Sequence, residues 1–485
     1  MAIRRKHFRY RDIDELRTEI EKLGLSICLE NQIEKLLEPV SVGHKTAGNA
    51  FGIHPMEGCD CTADGRPGEL TIRRWERFGT GGSKLIWGEA TAVLDEAKAN
   101  SRQLLISRDT VGSIASMLEL TRTVHRNTFG SNEEIIVGMQ LTHSGRYSYQ
   151  KPMIAFRHPV VDQITLLDKK KKIPIPNDYP VISDDYLERL EDVYVEAAKL
   201  AWQIGFDFVD LKQCHSYLLN ELLAAKTRKG KYGGSFENRT RFIRNVIGKI
   251  QAEIGNDLIL ASRLNVYDGV AYMRDTDTGI GTPSEMLKMY PYGFGVDEDD
   301  PPNSDMTEPK KLIRLLKELG IELINVSMGS PYYNPHIGRP FERPPIDGYE
   351  TPEHPLIGVD RHFRLTRQVQ QDNPNLPIVG TGYSWLQNYV VNAGEANVRN
   401  GHVSFVAVGR GALAYPDFAK DTIENGGMLK KKSCVAVSYC TALMRAKATP
   451  LGQYPAGCVP RDKVYAPIYK EAEKALTNKN ETRAN

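Results

Sequence analysis

Eight short runs of apolar and β-branched residues alternate along the chain with amphipathic segments. The runs are Phe51 to Met56, Lys84 to Glu89, Glu134 to Gln140, Phe206 to Leu211, Asp257 to Arg263, Glu322 to Ser327, Leu376 to Gly380 and Ser404 to Val408. Strands that alternate with helices are parallel and joined by crossovers, so the pattern predicts an α/β fold, a closed (β/α)8 TIM barrel. An open doubly wound sheet would show the same local pattern.

The predicted helices between these runs carry apolar residues at spacings of three and four. The clearest segment is Ser183 to Ile204, and Glu237 to Ile254 and Pro309 to Leu319 follow the same pattern. Because such a stripe buries one helix face, these segments are expected to cover the outside of the barrel.

Three stretches fall outside the alternation. Residues 1–45 form a charged, helix-prone N-terminal extension, residues 46–425 the predicted barrel, and residues 426–485 a C-terminal extension with three cysteines. Inside the barrel, Asp275 to Asp305 is rich in Gly, Pro and Asp and follows the fifth run. It should lie over the C-terminal mouth, either as a lid or as a long surface loop.

Charge and composition exclude several classes of protein. The net charge is only +2, from 63 basic and 61 acidic side chains, so no overall field attracts nucleic acid or an anionic membrane. Seven cysteines are too few for a disulfide framework, and Met1 to Arg11 is polar and basic without an apolar stretch. The expectation is a cytoplasmic protein that acts on a small molecule, and a homo-oligomer remains open.

Polar and basic residues stand where the predicted strands end. Gln140 closes the third run, Lys212 and His215 follow the fourth, Arg263 ends the fifth and Arg410 follows the eighth. Since the C-terminal ends of barrel strands meet at one rim, these side chains should converge, as a barrel enzyme requires.

Two glycine-containing turns follow the seventh and eighth runs. They are Gly380-Thr381-Gly382 and Gly409-Arg410-Gly411. Loops at these places in a barrel often bind phosphate, because bare backbone N–H groups can approach it and a following helix N-terminus favours negative charge. The first run is not followed by the GxGxxG motif of a Rossmann dinucleotide site.

Three titratable donors stand within six residues after the fourth run. Lys212 and His215 are spaced so that both could donate hydrogen bonds to one substrate oxygen, with Tyr217 nearby as a proton source. A lone His or Tyr is more often structural, but the cluster at a strand end favours catalysis.

Several motifs together resemble the old yellow enzyme / NADH:flavin oxidoreductase family. They are Pro55-Met56-Glu57-Gly58, Gly138 to Arg146, Tyr232 to Arg239, and Val408 to Gly411 with Tyr415-Pro416-Asp417. The match runs in order from about residue 40 to 425.

The resemblance implies FMN at the barrel mouth, with NADH or NADPH as the electron donor. Its phosphate would lie on Gly382, Gly409 and Arg410, while Gln140 would face the pyrimidine edge and Arg263 would stabilise the reduced ring near N1 and O2. The residues implied to line the cofactor from the first two strands are Pro55, Met56, Glu57 and Ala90.

The chain departs from the family pattern at three positions. Lys212 replaces the first His of a His-x-x-His or His-x-x-Asn pair, Glu57 replaces a small or hydroxyl residue, and Ala50 replaces an Arg. These departures affect the expected substrate rather than the flavin.

The cysteines of the C-terminal extension also depart from larger relatives. Enzymes similar to dienoyl-CoA reductase hold a [4Fe–4S] cluster on four close cysteines, whereas Cys434, Cys440 and Cys458 are spaced C-x5-C-x17-C. Val437 and Thr441 occupy two expected ligand positions, so no cluster and no metal are predicted. A zinc site with one further ligand is the alternative to a structural role.

The sequence thus predicts an ene-reductase that passes hydride from NAD(P)H through flavin to an activated C=C bond. The predicted catalytic residues are Lys212 and His215, which would polarise the substrate oxygen, and Tyr217, which would protonate the α-carbon. Two alternatives are a flavin-dependent dehydrogenase similar to trimethylamine dehydrogenase, and a non-catalytic flavin-binding module.

Overall fold

The structure is a computed structural model that describes residues 7–169, 171–284, 289–345, 348–446, 449 and 452–484. Residues 285–288 of the predicted lid or surface loop therefore lie outside the described residues, as do parts of both terminal extensions. Among the described helices, none is both long and apolar enough to cross a membrane.

Eight strands close into a parallel barrel, which confirms the predicted architecture and excludes the open sheet. In chain order they are β1 (Phe51–Ile53), β2 (Leu85–Ala92), β3 (Ile136–Thr142), β4 (Phe208–Leu211), β5 (Ile259–Asn265), β6 (Ile321–Ser327), β7 (Ile378–Gly380) and β8 (Phe405–Val408). Each strand pairs with the next, and β8 returns to β1.

The larger helices cover the barrel between successive strands. They are α1 (Glu69–Gly79), α2 (Val111–Phe129), α3 (Asp184–Gln203), α4 (Arg241–Ile254), α5 (Thr307–Glu318), α6 (Pro355–Asp372), α7 (Val390–Arg399) and α8 (Phe418–Asn425). The Ser183 side chain accepts from the Tyr186 N–H and so caps α3 at the predicted start. The predicted helix Glu237 to Ile254 is divided, because Phe236–Arg239 forms a separate turn before α4.

The remaining helices, 3₁₀ turns and hairpins lie outside the eight strands and the eight helices named above. The helices are Ile13–Lys22, Val161–Ile164, Leu218–Ala224, Pro335–Gly338, Arg410–Ala414, Tyr439–Arg445 and Tyr465–Ala484, and the 3₁₀ turns are Lys35–Leu37, Asp95–Ala97, Gly145–Tyr147 and Tyr383–Tyr389. Three antiparallel hairpins pair Val40–Val42 with Lys45–Ala47, Leu166–Asp168 with Ile173–Pro174, and Tyr272–Arg274 with Gly281–Pro283.

Apolar side chains fill the N-terminal end of the barrel. They come from most of the barrel strands and are fully buried: Leu85, Trp87, Ile136, Phe208, Ile259, Ala261, Leu323, Val379, Phe405 and Ala407. The hairpin before β1 adds Val42 and Ala47 to the same cluster, so it closes this end of the barrel. The polar site is consequently confined to the opposite, C-terminal end.

The C-terminal extension packs back onto the barrel. Asp462 forms ion pairs with Arg73 and Arg77 of α1, and the Ala456 N–H donates to the Gly58 carbonyl after β1. The Glu342 N–H, from the loop after β6, donates to the Ala436 carbonyl. The extension therefore contacts loops at the mouth of the barrel.

Candidate functional site

A buried carboxylate, Asp210 on β4, organises the centre of the mouth. It accepts hydrogen bonds from Trp87 Nε1 at 2.7 Å, from Gln140 Nε2 at 2.6 Å and from the Arg263 backbone N–H at 2.7 Å. Burial raises the pKa of Asp210 to about 6, although these hydrogen bonds act in the opposite direction. Asp210 thus links β4 to β2, β3 and β5 and fixes two predicted site residues, Gln140 and Arg263.

The Arg263 guanidinium is buried without an anionic partner within the described chain. The side chain is only 7% exposed, and its Nε has no hydrogen-bond partner. Burial lowers the pKa of Arg263, while the nearby Cys214 and Asp210 oppose that effect. A cation held in this way can stabilise negative charge that develops on a bound group.

Lys212 and His215 follow β4 and lie beside Arg263. Burial lowers the pKa of Lys212, and the proximity of Cys214 and Glu57 opposes this shift. Burial, followed by the positive charges of Arg263 and Lys212, holds the pKa of His215 well below its ordinary value, so its imidazole is neutral at pH 7. The structure therefore brings together the predicted donors, one a cation and one a neutral ring.

The contacts of these two side chains differ. The Lys212 Nζ lies 3.8 Å from the ring centroid of Tyr217, a cation–π contact, and has no hydrogen-bond acceptor among the described residues. His215 Nε2 lies 3.0 Å from the Ser327 hydroxyl at the end of β6. Lys212 is consequently the freer of the two donors.

The turn that carries these residues has an unusual backbone. His215 and Ser216 both adopt left-handed conformations, with φ of 66° and 60°. The Ser216 N–H donates to Asn220 Oδ1 at 2.7 Å, and Asn220 and Asn265 both donate to the Asp268 carboxylate. This buried network holds a strained turn in place.

Tyr217 is part of a cluster of three tyrosines. Its hydroxyl lies 2.9 Å from that of Tyr332, and the Tyr332 ring stacks on Tyr147 at a centroid distance of 3.5 Å. Burial, followed by the neighbouring Tyr332 and Glu57, raises the pKa of Tyr217 well above its ordinary value, so the phenol is protonated. Tyr217 is 6% exposed and Tyr332 is 40% exposed, so Tyr332 lies nearer the protein surface.

The predicted residues of the first two strands border the same mouth. Ala90 on β2 pairs with Gln140 on β3, and Pro55 is buried directly after β1. The Glu57 carboxylate accepts a hydrogen bond from the Asn100 amide. Burial raises the pKa of Glu57 to about 7, and the positive charge of Lys212 opposes the rise.

The two glycine turns lie together at the other side of the mouth. Gly382 has φ +91°, and a Cβ there would lie 2.7 Å from His362. A Cβ on Gly409 would lie 2.8 Å from Met56 Sδ, a contact that a shift of the flexible Met56 side chain could relieve, so only Gly382 requires glycine. The Gly411 N–H donates to Ser384 Oγ at 3.2 Å, which joins the turn after β8 to the segment after β7.

Arg410 belongs to the second of these turns, and its side chain reaches the loop after β6. It donates from Nη2 to the Pro340 carbonyl at 2.6 Å, whereas Nη1 is buried without a partner. Among the described residues, no hydrogen bond connects this group with Lys212, His215 and Tyr217. The predicted site residues thus form two sets, one around β4 and one around β7 and β8.

Potential metal ligands come together at a different place from the one the cysteines suggested. Within the described chain, the only close group of such ligands is Asp60, Cys61 and Glu89, and Arg74 forms ion pairs with both carboxylates. The guanidinium therefore supplies the balancing positive charge. Cys434, Cys440 and Cys458 are free thiols.

A comparison with protein families identifies the family of this chain. A model described as the NADH:flavin oxidoreductase / NADH oxidase family matches residues 35–289, which is more than half of the chain. The chain belongs to this family. Membership makes it a flavin-dependent oxidoreductase that uses NADH or NADPH, as the motifs predicted.

Two curated relatives have names in keeping with this family. An NADPH dehydrogenase of Bacillus cytotoxicus is 24% identical over 301 residues, which cover 61% of this chain and 72% of the relative. An NADH:flavin oxidoreductase of Gibberella zeae is 23% identical over 312 residues, covering 61% and 67%.

Solved structures share the fold at low sequence identity. A 2-naphthoyl-CoA reductase complex has a TM-score of 0.64 at 17% identity and covers 90% of this chain, but this chain spans only 58% of that one. An old yellow enzyme homologue from Zymomonas mobilis has a TM-score of 0.57 at 20% identity, covering 82% and 95%. Morphinone reductase has a TM-score of 0.57 at 18% identity, covering 88% and 96%.

The donor set at the mouth fits a flavin. The mouth presents buried polar atoms without hydrogen-bond partners, namely Arg263 Nε, Asn325 Oδ1, His54 Nε2 and Arg410 Nη1. Such atoms are costly unless a bound group satisfies them. A flavin nucleotide has a polar ring edge and an anionic phosphate, which suit these donors and acceptors.

Sequence reasoning missed several of these residues. Asp210 stands out only as a charged residue inside the apolar run of β4, and Tyr332 lies in the tyrosine pair after β6. Tyr147 follows the motif that ends at Arg146. A buried Asp in a strand was the one signal that could have been used.

Proposed function

We propose that the protein is an FMN-dependent ene-reductase that reduces an activated C=C bond of an α,β-unsaturated carbonyl or carboxylate compound. The observation that carries this proposal is the convergence of Lys212, His215 and Tyr217 beside Arg263. One group of donors can hold the substrate oxygen while a separate phenol delivers a proton.

Several residues would hold FMN. Arg263 and Gln140 suit the polar ring edge, Arg410 with Gly382 and Gly409 suits the phosphate, and Pro55, Met56, Glu57 and Ala90 would line the cofactor. Bound FMN would supply the relay of one hydride from NADH or NADPH to the β-carbon of the alkene.

Lys212 and His215 would bind and polarise the substrate oxygen. Lys212 offers a charged donor, and His215 offers at most one donor because its ring is neutral. With Arg263 also nearby, the pocket favours an oxygen that carries substantial negative charge, so an unsaturated carboxylate or a strongly polarised carbonyl is the expected substrate. The same charges disfavour a cationic amine.

Tyr217 would donate the proton that the α-carbon requires. Its raised pKa keeps it protonated, and its hydroxyl is already within hydrogen-bond distance of Tyr332. After transfer, the Tyr332 hydroxyl, 2.9 Å away, would return a proton to Tyr217. We therefore assign Tyr332 to proton supply rather than to substrate binding.

A second candidate is a flavin-dependent dehydrogenase of an amine. The chain shares its fold with histamine dehydrogenase from Rhizobium sp. 4-9, at a TM-score of 0.56 and 19% identity, covering 81% of this chain and 48% of that one. A similarity at this level shows the fold alone, and the positive charges near Lys212 argue against a cationic substrate.

The test begins with the purified protein. We expect it to be yellow, to release FMN on acid treatment, and to oxidise NADPH or NADH in proportion to added enone or unsaturated carboxylate. Release of FAD, or no flavin after reconstitution, would contradict the cofactor assignment. Flavin reduction by an amine without alkene turnover would favour the dehydrogenase, and flavin binding without either reaction would favour a non-catalytic module.

Tyr217→Phe tests the proton donor separately. Reduction of the bound flavin by NADPH should be nearly unchanged, while stopped-flow measurement should show alkene reduction slowed by about a hundredfold or more. If the alkene step runs at the same rate in Tyr217→Phe and in the wild type, the proton donor lies elsewhere.

A further inference from the structure

Two arginines from separate loops meet beside the glycine turns. Arg339 follows the helix Pro335–Gly338 after β6, and Arg410 follows β8. Arg410 donates to the carbonyl of Pro340, the residue next to Arg339. The two guanidinium groups are therefore held on one side of the mouth.

The C-terminal extension fixes Arg339 in this position. Arg339 Nη1 donates to Thr441 Oγ1 at 2.7 Å, and Thr441 lies in the helix Tyr439–Arg445. From the same helix, Arg445 donates to the Pro331 carbonyl in the loop after β6. Residues outside the barrel thus help to build this part of the mouth.

Neither arginine has a carboxylate partner among the described residues, although other buried arginines in the chain do. Arg146 is paired with Asp162 and Glu221, and Arg74 with Asp60 and Glu89. In contrast, Arg410 Nη1 and Arg339 Nη2 are both buried without a hydrogen-bond partner. Two donors from two cations are left for a bound group.

The positive charges also repel one another. Burial, followed by the neighbouring guanidinium groups of Arg410 and Arg445, lowers the pKa of Arg339 to about 9. An anion between the guanidinium groups would relieve this repulsion and satisfy both unpaired donors.

We propose that Arg339 and Arg410 together bind a phosphate dianion. The assignment of this phosphate to FMN rests on the proposed function. The pair suits phosphate because hydrogen bonds from a guanidinium to phosphate are charge-assisted, and each arginine has one terminal nitrogen without a partner, Arg410 Nη1 and Arg339 Nη2. The site extends beyond the glycine turns and Arg410, because Thr441 of the C-terminal extension orients one of its two cations.

The experiment compares FMN with riboflavin, which has the same ring but no phosphate. Flavin-free wild-type protein, Arg339→Gln and the exposed control Arg108→Gln are titrated with each flavin. We expect Arg339→Gln to weaken FMN binding by about ten- to a hundredfold and to leave riboflavin binding unchanged. Arg108→Gln should bind both flavins as the wild type does, because its side chain is paired with Glu196 at the surface.

Equal losses for both flavins, or no loss for FMN, would overturn the proposal. If Arg339→Gln does not fold, Arg339→Lys is the second variant, because it keeps the positive charge but lacks the planar guanidinium. It should weaken FMN binding several-fold and leave riboflavin binding unchanged. No difference between the two flavins in that variant would also overturn the proposal.

Inorganic phosphate separates this proposal from the proposed function. It should raise the thermal midpoint of the flavin-free wild type more than that of Arg339→Gln, and it should compete with FMN but not with riboflavin. Stabilisation through Arg339 without competition would overturn the assignment to FMN in favour of a phosphate on the substrate or nicotinamide. If the wild type binds no flavin, the proposed function fails, while the phosphate site is judged on this stabilisation alone.

Discussion

The two ends of the barrel contrast in what they bury. The N-terminal end is closed by apolar side chains, including Leu323 of β6 and Val42 of the hairpin that precedes β1. The C-terminal end buries ionisable groups such as Asp210, Lys212 and Arg263. Burial of apolar surface stabilises the fold, whereas burial of charge costs free energy unless it is paired or used.

This contrast teaches that stability and chemistry are located at opposite ends of the same strands. β4 contributes Phe208 to the apolar cluster and Asp210 to the mouth, only two positions further along. Variants at the two ends should consequently change different quantities.

The largest effect on stability is expected at the N-terminal end. Leu323→Ala leaves a cavity in the fully buried cluster and should lower the free energy of unfolding by about 2–5 kcal/mol. Urea denaturation measures the loss, with Leu323→Met as a control of similar volume that should lose less than about 1.5 kcal/mol. FMN affinity of the folded variant should stay unchanged, and a large loss of affinity would break the separation between the two ends.

Lys212→Met is the matching change at the C-terminal end. Flavin binding and reduction by nicotinamide should be nearly intact, because the Lys212 ammonium contacts the Tyr217 ring and makes no hydrogen bond to a predicted flavin residue within the described chain. Stopped-flow measurement of the alkene step should show a loss of about ten- to a thousandfold if the ammonium acts on developing negative charge. An unchanged alkene step would show that Lys212 is structural.

Glu57→Gln sharpens the comparison through pH. The pKa of Glu57 is raised to about 7, so the folded protein holds this proton more tightly than the unfolded chain does. The carboxyl therefore reduces stability progressively as pH rises from about 5 to 8. The variant lacks this effect, so its stability relative to wild type should increase by about 1–3 kcal/mol over that range. Urea denaturation at both pH values provides the test, and a constant difference would contradict it.

The eight alternating units predicted parallel strands joined by crossovers, and the structure decided between a closed barrel and an open sheet. The sequence also indicated the position of Gln140, Lys212 and Arg263, since residues at strand ends must meet at one rim. The hydrogen bond between Arg339 and Thr441 could not be predicted. The two residues are 102 positions apart, and sequence periodicity does not predict contacts over such a distance along the chain.

The local conformation of the turns was also beyond prediction. Left-handed geometry is usual for glycine, yet here it occurs at His215 and Ser216, whose backbone N–H groups donate to Asn265 Oδ1 and Asn220 Oδ1. The helix predicted to follow the Gly409 turn is only the five-residue segment Arg410–Ala414. Tertiary contacts, rather than local preference, decide both features.

The left-handed pair His215 and Ser216 limits how this protein can become more heat-resistant. Each such residue costs about 1–3 kcal/mol relative to a relaxed backbone, and glycine in place of Ser216 would relieve that cost, less about 0.5–1 kcal/mol for the entropy that glycine loses on folding. The same substitution would let the turn between Lys212 and Tyr217 adopt other conformations. The two side chains would then occupy the positions needed to act on the substrate for a smaller fraction of the time. Substitution at this turn is therefore expected to raise heat resistance and to lower turnover.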